Sequence, residues 1–142
     1  MMSHTHKVGD LQLLLEEYNN FLQECSHYQG NGEGSIEELN YLILGLAGES
    51  GEVIELMKKH ARNFGIATDK GSLRKLPHMT KIRMIDELGD ILWYLIKLTT
   101  VLDVSLVDVI ELNVRKLRGR QPHLAWPFTE IPLRITEACT NE

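Results

Sequence analysis

The feature that most constrains the fold is the helical spacing of apolar residues, which recurs in four segments of this 142-residue chain. Apolar side chains that return every three or four residues form one stripe along a helix, and none of the segments alternates as a half-buried strand does. The segments cover about residues 8–28, 35–63, 79–102 and 105–119. We therefore expect an all-α protein with a four-helix bundle-type core.

The predicted helices begin and end at recognisable signals. Ser35 with Glu38 has the pattern of a capping box, in which the serine oxygen accepts a hydrogen bond from a first-turn N–H and the glutamate reaches back to the cap. Ser105 with Asp108, three residues on, is a second capping signal. The glycine-rich stretch 29–34 ends the first helix. Three glycines inside the second helix predict the close approach of a neighbouring backbone or ligand: Gly45, Gly48 and Gly51.

Length and composition indicate a single domain over residues 1–142, with a core at about 8–120 and an extended, proline-containing tail at 121–142. The net charge of −5 argues against binding of a nucleic-acid polymer. The chain has no signal-peptide pattern and no apolar run near the roughly 20 residues that span a bilayer. Cys25 and Cys139 form neither a disulfide framework nor a zinc motif, and Cys25 is expected to be buried. We expect a cytoplasmic protein without a membrane partner.

Two acidic pairs interrupt the apolar stripes. Glu49 lies within the stripe of the second helix and Glu52 at its edge, whereas Glu87 and Asp90 share a face of the third helix that continues with Tyr94. A carboxylate on an apolar stripe is costly unless it is paired or binds a metal. Four converging carboxylates predict Mg²⁺, with Mn²⁺ as a substitute, because softer metals prefer His and Cys. Di-iron bundles use Glu-x-x-His pairs, which these helices lack.

Polar residues elsewhere are candidate substrate contacts. Asn113, Lys116 and Arg120 share a face of the fourth helix, where the two cations can neutralise phosphate oxygens. The alternative is a basic helix end favoured by the helix macrodipole. Lys59 is a further candidate, or simply part of a solvated helix end. Tyr94, one turn beyond the second acidic pair, can contact a nucleoside or serve as a core tyrosine.

These elements, in this order, resemble the MazG-like nucleotide pyrophosphohydrolases of the all-α NTP pyrophosphatase superfamily. The resemblance covers about residues 39–120 and rests on an E-x-x-E motif at 49–52, an E-x-x-D motif at 87–90 and an N-x-x-K-x-x-x-R element at 113–120. The segment between the acidic pairs is longer than is usual in the family, and the tail has no family counterpart. These departures bear on substrate choice more than on chemistry.

The resemblance implies Mg²⁺-dependent hydrolysis of nucleoside or deoxynucleoside triphosphates to the monophosphate and pyrophosphate, which removes unwanted nucleotides. It also implies a homodimer or homotetramer in which helices of two subunits complete one site. The four acids would hold the metal, and Glu52 is the candidate general base. Two alternatives remain: a non-catalytic Mg²⁺–nucleotide-binding regulatory module, and a structural oligomer whose buried acids pair with Lys116 and Arg120.

Overall fold

The computed structural model describes residues 8–65 and 72–123, and within these ranges the chain forms four α-helices and no strand. The all-α prediction is confirmed for this part of the chain. Cys139 and the predicted tail beyond residue 123 lie outside the described residues. The helices are Val8–Cys25 (α1), Ile36–Phe64 (α2), His78–Val101 (α3) and Leu106–Arg120 (α4), and a short 3₁₀ helix occupies Ser72–Lys75.

Both predicted capping serines cap a helix. Ser35 accepts a hydrogen bond from the Glu38 N–H at 3.1 Å, and α2 begins one residue after the serine. Ser105 and Asp108 form a complete capping box, since each side chain accepts from the backbone N–H of the other. These bonds satisfy first-turn N–H groups that no preceding helical carbonyl can reach.

The Glu38 carboxylate does not return to the cap as a capping box requires, so that part of the prediction is wrong. It accepts hydrogen bonds from the N–H groups of Gly32 and Gly34, at 2.7 and 2.8 Å, and from the Tyr28 hydroxyl at 2.8 Å. Gly32 and Gly34 have φ values of 82° and 61°, which a glycine adopts without a Cβ clash. The glycine-rich loop therefore folds around a carboxylate supplied by α2.

The antiparallel pair of α2 and α3 is the centre of the fold. At Gly45 the two helices lie so close that an added Cβ atom would clash with Tyr94 Cε1. A side chain makes this close approach, where a backbone or a ligand was predicted. At Gly48 and Gly51 no described atom would lie within 4 Å of an added Cβ, so no neighbouring backbone approaches there, and the approach of a ligand stays a prediction. That part of α2 is uncovered in the single chain.

Few of the described apolar side chains are buried, and α3 is uncovered over part of its surface in the single chain. Ile82, Ile85 and Leu88 of α3 are 43%, 67% and 53% exposed, because α1 and α4 contact this helix at only a few places. Cys25, expected to be buried, is exposed. None of the described helices combines the length and apolarity needed to cross a bilayer. The buried apolar residues are Leu22, Leu42, Leu56, Leu76 and Ile96.

Candidate metal centre

Three of the four predicted acids meet where α2 crosses the middle of α3. Glu49 comes from α2, and Glu87 and Asp90 come from α3, one turn apart on a single face. One carboxylate oxygen from each lies within 4.8 Å of those of the other two. We call Glu49, Glu87 and Asp90 the acidic group. Its donors are carboxylate oxygens alone, the ligand type that hard divalent cations prefer.

Glu52, the fourth predicted acid, lies outside the acidic group. Its side chain is exposed, one turn beyond Glu49 on α2, and its negative charge still acts on Glu49. Glu49 and Glu87 are half-buried, whereas Asp90 is exposed. All four acids were expected to converge in the interior. In the single chain only part of the set is covered, because the neighbouring face of α2 packs against nothing described.

The surroundings of Glu49 in the acidic group oppose its ionisation. Burial raises the pKa of Glu49 above its ordinary value, and the negative charges of Asp90, Glu87 and Glu52 raise it further. A hydrogen bond between the carboxyl groups of Glu49 and Glu87 acts in the same direction. Such a bond requires one of the two groups to carry a proton. A divalent cation at this position would replace that proton and favour the ionised acids, so the residues present fit a metal site.

Tyr94 borders the acidic group, as its spacing from Asp90 predicted, and Tyr41 lies behind it as its hydrogen-bond partner. The Tyr94 hydroxyl is hydrogen-bonded to Tyr41, and its pKa is raised by burial first, then by Tyr41 and by the charges of Glu49 and Asp90. Tyr41 was missed. The available signal was its spacing, since Tyr41, Gly45 and Glu49 follow one another at intervals of four on α2 and share a face.

The predicted substrate contacts on α4 stand apart from the acidic group in the single chain. Asn113 and Lys116 line one shallow surface of α4, as their spacing predicts. Lys116 and Arg120 are exposed and form no ion pair within the described residues, so the acids are not neutralised by these two cations in one chain. Lys59 pairs with Glu55 at 3.5 Å, the arrangement expected of a solvated helix end.

Comparison with known proteins shows the family to which the chain belongs. A sequence model of the MazG nucleotide pyrophosphohydrolase domain matches residues 37–125, which include α2 except its first residue, both acidic pairs and all of α4. The chain belongs to the MazG nucleotide pyrophosphohydrolase family. The family resemblance inferred from the three motifs is thereby confirmed.

A curated relative is also similar to the chain but adds no activity. The chain is 37% identical over 95 residues to the "Gene 37 protein" of Mycobacterium phage L5, an alignment that covers 66% of this chain and 76% of the phage protein. The phage protein's name states no reaction. No solved structure matches the chain.

Proposed function

We propose that this MazG family member hydrolyses nucleoside or deoxynucleoside triphosphates to the monophosphate and pyrophosphate, with Mg²⁺ as its metal. One observation carries the proposal: two helices of a MazG domain bring Glu49, Glu87 and Asp90 within 4.8 Å of one another, with no described cation to neutralise them. Mg²⁺ binds carboxylates and substrate phosphates together, and this makes the triphosphate the natural ligand of such a group.

The residues divide between holding the metal and moving a proton. Glu49, Glu87 and Asp90 would hold Mg²⁺, which when bound offsets phosphate charge and makes water more acidic. Water attacks the phosphorus that bears the nucleoside, and the bond from that phosphorus to the pyrophosphate oxygen breaks. Glu52 takes the proton of the attacking water, because its exposed carboxylate stands one turn from Glu49 and lies outside the acidic group.

The remaining predicted contacts address the two ends of the substrate. Lys116 and Arg120 stabilise the charge on the phosphates, and Asn113, on the same exposed face of α4, helps to place the sugar or base. Lys59 assists at the phosphates once its ion pair with Glu55 opens. Tyr94 contacts the nucleoside, because it borders the acidic group directly.

A second copy of this chain completes the site. The basic face of α4 makes no described contact with the acidic group of its own chain. The uncovered faces of α2 and α3 are apolar: Leu44 is 72% exposed beside the bare Gly48, and Ile85 is 67% exposed. Apolar exposure on this scale marks an association surface. We infer a homodimer, alone or within a homotetramer, in which Lys116 and Arg120 of one copy reach the acidic group of the other.

The activity is tested by measuring pyrophosphate release from each common NTP and dNTP, with Mg²⁺ and with EDTA. We expect Mg²⁺-dependent release of one pyrophosphate per monophosphate, with a preference among substrates. A chain that bound Mg²⁺–nucleotide without releasing pyrophosphate would instead be the regulatory module.

The shared site is tested by mixing two inactive variants. If Lys116 acts on its partner's acidic group, Glu49→Gln and Lys116→Ala chains that exchange at random should restore about a quarter of the wild-type sites, all of them in mixed dimers. Mixing Glu49→Gln with Glu87→Gln is the matched control, because both variants damage the same acidic group and no intact site can form. If the first mixture gained nothing over its components, Lys116 would act within its own chain or not at all.

A further inference from the structure

A second cluster of buried charge lies outside the acidic group and is centred on Lys97. This α3 residue is only 1% exposed, and its Nζ donates hydrogen bonds to Gln23 Oε1 at 2.8 Å and to Asn31 Oδ1 at 2.9 Å. The same ammonium lies 5.6 Å from the centroid of the Tyr28 ring, within the range of a cation–π contact. Lys97 thus joins α1 and the glycine-rich loop to α3.

The loop is fixed from its other side by Glu38, which is also 1% exposed. As described above, Glu38 accepts from two loop amides and from the Tyr28 hydroxyl. Tyr28 is therefore held at two points: its hydroxyl by Glu38 and its ring by Lys97. When a buried charge has partners on several sides, the removal of any one of them lowers the stability of the fold.

From Tyr28 a series of aromatic contacts leads to the acidic group. The Tyr28 ring stacks on Tyr41 with centroids 4.8 Å apart and meets Trp93 edge-on at 5.9 Å. Tyr41 and Trp93 both contact Tyr94, with ring centroids 6.5 and 4.7 Å away. Tyr94 borders the acidic group. We call Tyr28, Tyr41, Trp93 and Tyr94 the ring cluster.

We propose that Lys97 is a positioning residue for the nucleoside half of the substrate: it holds Tyr28 and the loop in place, and through them the Tyr41 and Tyr94 rings. This inference rests on the proposed function. It adds a residue two helical turns from Asp90 that touches neither metal nor phosphate.

The placement of the ring cluster explains why its role concerns the nucleoside. Tyr94 is four residues from Asp90, or about 6 Å along α3, and Tyr41 is eight residues from Glu49, or about 12 Å along α2. The helices are antiparallel, so both tyrosines lie toward the same end of the pair. A nucleotide with its phosphates at the acidic group extends its nucleoside along the helices. Tyr41 is 45% exposed, so its ring is accessible for stacking with a base.

The experiment compares two ligands that share their phosphates and differ in the nucleoside. Binding of an α,β-imido deoxynucleoside triphosphate and of inorganic tripolyphosphate is measured by calorimetry with Mg²⁺ for the wild type and for Lys97→Met. We expect Lys97→Met to weaken nucleotide binding about 5- to 10-fold while the affinity for tripolyphosphate changes less than about twofold.

Two further variants separate positioning from general destabilisation. Leu76→Ala removes a buried side chain beside the start of α3, away from the ring cluster, and should lower the melting temperature without changing either affinity. Asn31→Ala removes one partner of Lys97, together with the hydrogen bond from Asn31 Nδ2 to the Ser26 carbonyl oxygen, and should weaken nucleotide binding about two- to fourfold. This variant keeps the test decisive if Lys97→Met does not fold.

Each possible result supports or overturns the positioning role of Lys97 or the proposed function. Equal weakening of both ligands, or of neither, by Lys97→Met and Asn31→Ala would overturn the positioning role. Pyrophosphate release by the wild type is measured separately, so a chain that binds both ligands in the expected pattern without turnover would contradict the proposed function alone. A wild type that binds neither ligand would overturn both proposals.

Discussion

Charged side chains are fully buried around Lys97 and Glu38 and only half-buried or exposed in the acidic group, and the two regions differ in what surrounds each charge. Around Lys97 and Glu38 every charge meets a partner from the chain itself. In the acidic group, Glu49 is surrounded by acids of the same sign. Burial alone would raise the pKa of Glu38, but the bonds from Gly32, Tyr28 and Gly34 and the charge of Lys97 outweigh it and lower that pKa.

The opposite directions of the two shifts separate a structural site from a binding site. A buried carboxylate with a lowered pKa is stabilised in its charged form by groups that the fold already contains. One whose pKa is raised by burial and by neighbouring negative charges, as at Glu49, is destabilised in its charged form, and such groups are frequent at binding sites. On this comparison the cluster around Lys97 stabilises the fold, and we propose that the acidic group binds a cation.

The largest expected effect concerns catalysis. Glu52→Gln should lower kcat for pyrophosphate release by roughly 10²- to 10⁴-fold, because the general base is lost while the acidic group remains. Asp86→Asn is the matched control: Asp86 is an exposed acid next to Glu87, and its neutralisation should change kcat less than about threefold. Steady-state kinetics with saturating Mg²⁺ decide this, and a Glu52→Gln protein with normal turnover would remove Glu52 from the mechanism.

Removing one carboxyl charge should affect the free energy of unfolding differently in the two regions. Glu38→Gln removes a carboxylate that accepts three hydrogen bonds and should lower the free energy of unfolding by about 3 kcal/mol. Glu49→Gln removes one of several repelling charges and should leave the metal-free protein equally stable or more stable. Urea unfolding in EDTA measures both. A loss of similar size for the two variants would mean that the acidic group is already neutralised within the protein.

The contact between Gly45 of α2 and Tyr94 of α3 predicts a smaller effect on stability. Gly45→Ala places a Cβ atom against the Tyr94 ring and should cost about 1–3 kcal/mol of stability. It should also raise KM for the nucleotide, because Tyr94 must move. Gly119→Ala, where an added Cβ meets no described atom, should cost nothing measurable in a thermal melt. Equal melting temperatures for the two variants would contradict the close approach of α2 and α3.

The pH dependence of stability should have opposite signs for Glu49 and Glu38. Because the pKa of Glu49 is raised, the unfolded chain loses that proton first as pH rises above 4.5, so this residue makes the metal-free protein less stable with increasing pH until it ionises. Mg²⁺ needs the ionised acid, and its affinity should rise over the same range, by up to about tenfold per pH unit for each displaced proton.

Glu38 should behave in the opposite way. Its lowered pKa contributes stability above 4.5 that is lost as pH falls through the folded-state value. Thermal melts of wild type and Glu38→Gln between pH 3 and 6 test this, since their difference should shrink on acidification. A constant difference would show that the Glu38 bonds do not depend on its charge.

Much of the fold follows from local signals in the sequence. The capping serines Ser35 and Ser105 fix the starts of two helices, and apolar periodicity places all four. The acidic group was predictable because carboxylates on apolar stripes are rare and costly. Neither the exposure of Glu52 nor the open face of α3 was predictable. Both depend on how many helices surround α2 and α3, and the apolar stripe of a helix does not indicate which partner covers it.

The Lys97 cluster was missed although the sequence contained a signal. Lys97 follows the apolar run of α3 and shares a face with Tyr94 and Val101, so it breaks an apolar stripe just as Glu49 does. The same reasoning applied to a cation would have marked it as buried. Its partners Gln23 and Asn31 are 74 and 66 residues away in sequence, and only the folded loop brings them together.

The central claim is that the acidic group is completed by a divalent cation from outside the chain, and direct metal binding tests it. Mn²⁺ binding is measured by electron paramagnetic resonance for the wild type and for the Glu49→Gln, Glu87→Gln double variant, with Mg²⁺ as competitor. The account predicts at least one Mn²⁺ per wild-type chain, displaced by Mg²⁺ and lost in the double variant. Equal Mn²⁺ binding by both proteins, or none by the wild type, would contradict it.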